Sequence, residues 1–84
     1  MQVLLYNDLK QKSITGFAKW RKLIEKDDFK SADIKKVGDN LYRARLNRSD
    51  RLIFSLYQYQ GQRYALVLEY LKSHNYKQSR FLQG

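Results

Sequence analysis

Between residues 41 and 76 the chain carries Arg43, Arg45, Arg48, Arg51 and Arg63, interleaved with Tyr57, Tyr59, Tyr64 and Tyr70 and followed by His74 and Tyr76. Arg43 and Arg45 are two apart, so on a strand they point to one face, and Arg51 opens the run that pairs back antiparallel to theirs. Three guanidiniums on one surface suit phosphate, because each planar fork matches two phosphate oxygens. The plainer reading is that exposed arginines only keep a basic chain solvated. Tyrosine rings beside cations form a stacking platform for single-stranded nucleic acid. Tyrosine is also a good strand former, so most of the seven are expected to be half-buried structural residues. His74 is either a surface residue or a proton shuttle poised near neutrality. Glu69 reads as one half of a cross-strand ion pair.

These residues need a sheet to hold them. Residues 41–48, 52–59 and 63–71 alternate with a period of two and are separated by "RSD" and "QGQ", which suits three antiparallel strands joined by hairpins. Upstream, Val3 to Tyr6 reads as a short strand and Asn7 and Asp8 as a turn or cap. Ile14, Phe17, Trp20, Leu23 and Ile24 then recur at steps of three and four, which predicts an amphipathic helix with Ser13 as its cap. Residues 27–39, "DDFKSADIKKVGD", read as a polar connection anchored by Phe29, Ile34 and Val37. The tail "HNYKQSRFLQG" is expected to form a last helical turn, with Phe81 and Leu82 against the sheet. One face of the sheet packs on the helix and the other is partly exposed.

Composition narrows the chemistry. Eighty-four residues make one domain with one modest core. Lys and Arg number 17 against 8 Asp and Glu, a net charge of +9, which calls for a polyanionic or acidic partner. Residues 1–40 hold 9 basic and 6 acidic side chains, and residues 41–84 hold 8 and 2. The excess is therefore concentrated in the predicted sheet. With no cysteine and one histidine, disulfides, thiolate metal sites and histidine clusters are excluded, so no metal or other cofactor is expected. No apolar run approaches the roughly 18 residues of a spanning helix, so no membrane association is expected and a reducing cytoplasm fits.

"KKVGDNLYRAR", "RLIF" and the closing "SHNY", set on this order of elements, resemble the RelE/ParE superfamily of bacterial toxin–antitoxin systems. The likeness covers residues 35 to 77 and reaches the N-terminal third only in outline. It implies an α+β fold for residues 1–84 as one RelE-like domain, an N-terminal strand and helix packed on an antiparallel sheet. It also implies a metal-independent endoribonuclease that cuts messenger RNA on the ribosome and is neutralised by an acidic antitoxin, with no small-molecule cofactor. Such an enzyme positions a ribose 2′-hydroxyl, neutralises the phosphorane and protonates the leaving oxygen. By the resemblance, Arg45, Arg51, His74 and Tyr76 are the catalytic set; Arg43, Arg48, Lys72 and Lys77 are the further cations expected to hold the RNA. The alternative is a catalytically silent module of the same superfamily, either a gyrase-targeting toxin or an interaction domain of a larger protein, because fold does not fix activity.

Overall fold

The computed structural model describes residues 1–7, 9–72 and 79 of the chain. The apolar stripe at 17, 20 and 24 folds as α1, Phe17–Glu25, and buries Phe17, Trp20 and Ile24. Ile14 is buried too, but just outside the helix, after a single 3-10 turn at Gln11–Ser13. The helix begins later than the spacing suggests because Gly16, not Ser13, is its N-cap, with φ at +82° and no side-chain cap bond. The helix ends after nine residues in a Schellman closure. Asp27 sits at φ +58° and donates its N–H to the Ile24 carbonyl at 2.9 Å, while Asp28 donates to Leu23 at 2.8 Å.

Five strands follow the order β1-β5-β4-β3-β2 across a single sheet. They are β1 Gln2–Leu5, β2 Ile34–Gly38, β3 Leu41–Arg45, β4 Arg51–Tyr59 and β5 Gln62–Leu71. β2, β3, β4 and β5 form an antiparallel meander, and β1 lies parallel against β5 with Val3 opposite Ala65. Gln60 and Gly61, both at positive φ, close the β4–β5 hairpin as a two-residue turn whose twist matches the strands.

This arrangement corrects the expected α+β RelE/ParE-like fold, with its N-terminal strand and helix on an antiparallel sheet. The sheet is mixed and five-stranded, strand dominates the chain, and the helical layer among the described residues is one short α-helix. Two physical reasons account for the difference. Strand direction is set by which edges meet, and a parallel pair needs a long crossover that no local period reports. β2 went unread because Lys35 and Lys36 are both exposed on an edge strand, which breaks the apolar–polar alternation by which strands are recognised. The expected helical turn in the tail, with Phe81 and Leu82, lies outside the described residues.

α1 covers one face of the sheet. Phe17, Trp20 and Ile24 meet Val3, Ala44, Leu52, Phe54, Ala65 and Val67 in one buried cluster. The Trp20 ring stands edge-on to Phe54 at 5.3 Å, and Tyr42 stacks on Phe54 at 5.5 Å. Such ring pairs stabilise by about 0.5–1.5 kcal/mol each beyond the area they bury. The apolar load thus sits on the helix side, and among the described residues no helix covers the arginine-bearing face.

Candidate nucleic-acid interface

Register decides which side chains share the helix-free face. Lys35 is opposite Arg43, Arg43 opposite Ile53, and Ile53 opposite Glu69, so these four form one row across β2, β3, β4 and β5. Arg45 and Arg51 face each other in the next row, as the spacing predicts. In the other direction along the strands come Ser55, Leu66 and Leu4, and then Tyr57, Tyr64 and Gln2. Tyr59 ends the face beside the hairpin.

The two ends of this face differ in exposure. Tyr57 is 51% exposed, Tyr59 58% and Leu4 47%, an open aromatic and apolar patch. Ile53, Leu71 and Arg51 are buried, although among the described residues no helix lies over them. Ser79, itself fully buried, approaches at that end, and its hydroxyl donates to the Glu69 carboxylate. Glu69 therefore has a C-terminal hydroxyl as one partner. About 13 Å separates the Ile53 row from the Tyr57 row, from a rise of roughly 3.3 Å per residue.

Arg51 occupies the register position that the sequence suggests but not the exposure. Its Nη1 donates to the carbonyls of Asn47 at 2.8 Å and Asp50 at 2.9 Å, and its Nη2 donates to that of Arg48 at 3.4 Å. The fork is thus bound into the β3–β4 loop. That loop is organised by Asn47, whose Oδ1 accepts from the backbone N–H groups of Ser49 and Asp50, both at 2.9 Å. Asp50, also buried, accepts from the Tyr70 hydroxyl at 2.8 Å and from Asn47 Nδ2 at 3.2 Å. Burial raises the Tyr70 phenol above its ordinary value, and the hydrogen bond to Asp50 and the charge of that carboxylate raise it further, with Thr15 opposing. Tyr70 therefore lies on the helix side, locking a loop, and is not part of the open aromatic patch.

The remaining candidates are scattered around this loop. Arg45 is about half exposed and stands 4.0 Å from Asp33, which is also exposed. Both residues border a cleft of about 270 Å³ between α1 and the β3–β4 loop, together with Lys19, Trp20 and Asn47. Arg43 is half-buried on β3, and Arg48 and Lys72 are exposed. Arg63 faces the helix side and pairs with Asp27 at 3.3 Å. His74, Tyr76 and Lys77 lie outside the described residues, so Arg45 and Arg51 are the described members of the expected catalytic set. Among the described residues no group of three or more His, Cys, Asp or Glu could hold a metal ion, and no helix is long and apolar enough to cross a membrane.

Lys35, Leu4 and Leu66 belong to this face and were missed by sequence reasoning. For Lys35 the signal was the run Ile34 to Val37, a strand hidden by its two lysines. Leu4 and Leu66 needed the parallel β1–β5 register. The chain matches no family model, no curated protein and no solved structure with which it was compared.

Proposed function

We propose that this chain binds single-stranded RNA across the helix-free face of its sheet. The observation that carries the reading is the pair Tyr57 and Tyr64, directly opposite each other on β4 and β5, on the same face as the row begun by Lys35 and Arg43. Splayed bases stack on such rings regardless of sequence, and the phosphates of the same strand are attracted to the cations. The net charge of +9 supports the same partner class. The cytoplasm is the compartment where this reading places the protein.

The test is a titration of a short fluorescent uridine oligomer, read by anisotropy at several salt concentrations. Tyr57→Ala should weaken binding by about 5- to 150-fold, the equivalent of roughly 1–3 kcal/mol for one stacked base. Lys35→Ala should reduce the salt slope by about one unit. Unchanged affinity in Tyr57→Ala, together with a salt-independent constant, would remove the proposal.

Strand cleavage, the activity that the resemblance implies, is a second reading. Arg45 favours it: the side chain is half exposed at the mouth of a cleft, where a phosphate can reach it. Running the same mixtures on a denaturing gel tests it directly. Shortened products that disappear in Arg45→Ala support scission; intact RNA leaves a binding domain.

A further inference from the structure

Among the described residues β2 is an edge of the sheet, paired with β3 on one side only. Its open edge has a definite pattern. The Arg45 N–H donates to the Asp33 carbonyl at 3.2 Å, so the pair just before β2 is a hydrogen-bonded one. Such pairs alternate along an antiparallel ladder, which turns the backbone groups of Lys35 toward β3 and those of Ile34 and Lys36 outward. Ile34 and Lys36 also border an apolar hollow of about 210 Å³ on the helix side of the sheet, floored by Phe54 and walled by Phe29, Tyr42 and Leu56. An apolar cavity of about 150 Å³ takes a benzene molecule, so this one has room for a leucine or phenylalanine side chain.

We propose that the β2 edge is a docking site for an extended acidic segment of another protein, which adds antiparallel to β2 as a sixth strand. The backbone of that segment pairs with Ile34 and Lys36. Its residue opposite Ile34 is apolar and enters the hollow, and its residue opposite Lys36 is acidic. Charge selects the partner. Lys30, Lys35 and Lys36 are exposed within seven residues, and neither Lys35 nor Lys36 has an ion pair among the described residues. Lysines on an edge strand repel a second copy of the same edge, since antiparallel β2–β2 pairing would bring four of them together, but they attract a strand of opposite charge. The adjacent hollow supplies the side-chain pocket that gives specificity to strand addition. The site lies on the face and edge away from Tyr57 and Tyr64, so it does not depend on the RNA reading.

The test uses the full chain and a fluorescent nine-residue peptide in which leucine and glutamate alternate at every second position with threonine between them, so that leucine can stand opposite Ile34 while glutamate stands opposite Lys36. Two further versions are N-methylated on alternate amides, one on the set that would face β2 and the other on the set that would face away. The alternating peptide should bind. Methylation of the inward set should weaken it at least tenfold and methylation of the outward set should not. Lys36→Glu should weaken peptide binding to a similar degree while leaving the circular dichroism spectrum and the affinity for the uridine oligomer unchanged. Equal binding by both methylated peptides, or an unchanged affinity in a folded Lys36→Glu chain, overturns the proposal. Sedimentation showing self-association that Lys36→Glu abolishes overturns it as well, because the occupant would then be a second copy. If Lys36→Glu fails to fold, the two methylated peptides decide the matter on the native chain.

Discussion

Arg51→Ala separates a loop-forming arginine from a ligand-binding one. The mutation removes the donors to the carbonyls of Asn47, Asp50 and Arg48. The three losses are unequal. The Asp50 carbonyl still accepts from the Leu46 N–H at 3.0 Å, and the Arg48 bond is long and on an exposed residue that water can reach. The Asn47 carbonyl is left as the main stranded group, at a cost of about 1–3 kcal/mol. The buried alkyl stem adds about 0.8 kcal/mol per methylene lost. The sum is about 3 kcal/mol, a large share of the roughly 4–13 kcal/mol expected for a domain of this length. In urea, with a slope of about 1–3 kcal/mol per molar, the unfolding midpoint should fall by at least 1 M. Arg51→Lys keeps the stem and charge but not the fork, and should fall between the two. The folded fraction of either variant should bind RNA as the native chain does. A midpoint that does not move while RNA affinity collapses would refute the reasoning, because the guanidinium would then be serving a ligand and not the loop.

Three further outcomes follow from the same geometry. Tyr70 is protonated more firmly in the folded chain than in the unfolded one, so its contribution is fully present below pH 10 and is lost as pH rises through its raised folded value; Tyr70→Phe should flatten the fall of stability measured in urea above pH 10. Phe54→Ala removes the ring between Trp20 and Tyr42 and should cost about 3–5 kcal/mol, read as a lowered urea midpoint, whereas a loss under about 1 kcal/mol would mean that the core collapses around the gap. Gly16→Ala meets ordinary contact at Leu46 but forces alanine to φ +82°, and should cost about 1–2 kcal/mol, with Gly16→Asn milder in the same thermal melt.

The sequence alone determined those features that depend on neighbours along the chain. The three- and four-residue recurrence of Phe17, Trp20 and Ile24 specified a helix with one buried face. The alternation from Leu41 onward specified three adjacent antiparallel strands, and the two-residue spacing of Arg43 and Arg45 put both on one face, with Arg45 opposite Arg51. Tertiary structure decided everything that depends on long-range pairing or on competition for a hydrogen-bonding group. β1 reaches β5 only by crossing the whole meander, and no local period encodes that direction. β2 is a strand because β3 offers it an edge, although Lys35 and Lys36 give it no apolar alternation of its own. Arg51 illustrates the second kind. Its residue type suits a phosphate, but the turn made by Asn47 and Asp50 aims buried carbonyls at its guanidinium, and a buried acceptor without a donor costs more than a solvated phosphate contact returns. The exposed Tyr57 and the half-buried Tyr64, to which the proposed RNA binding is assigned, stand directly opposite each other only because of the β4–β5 register.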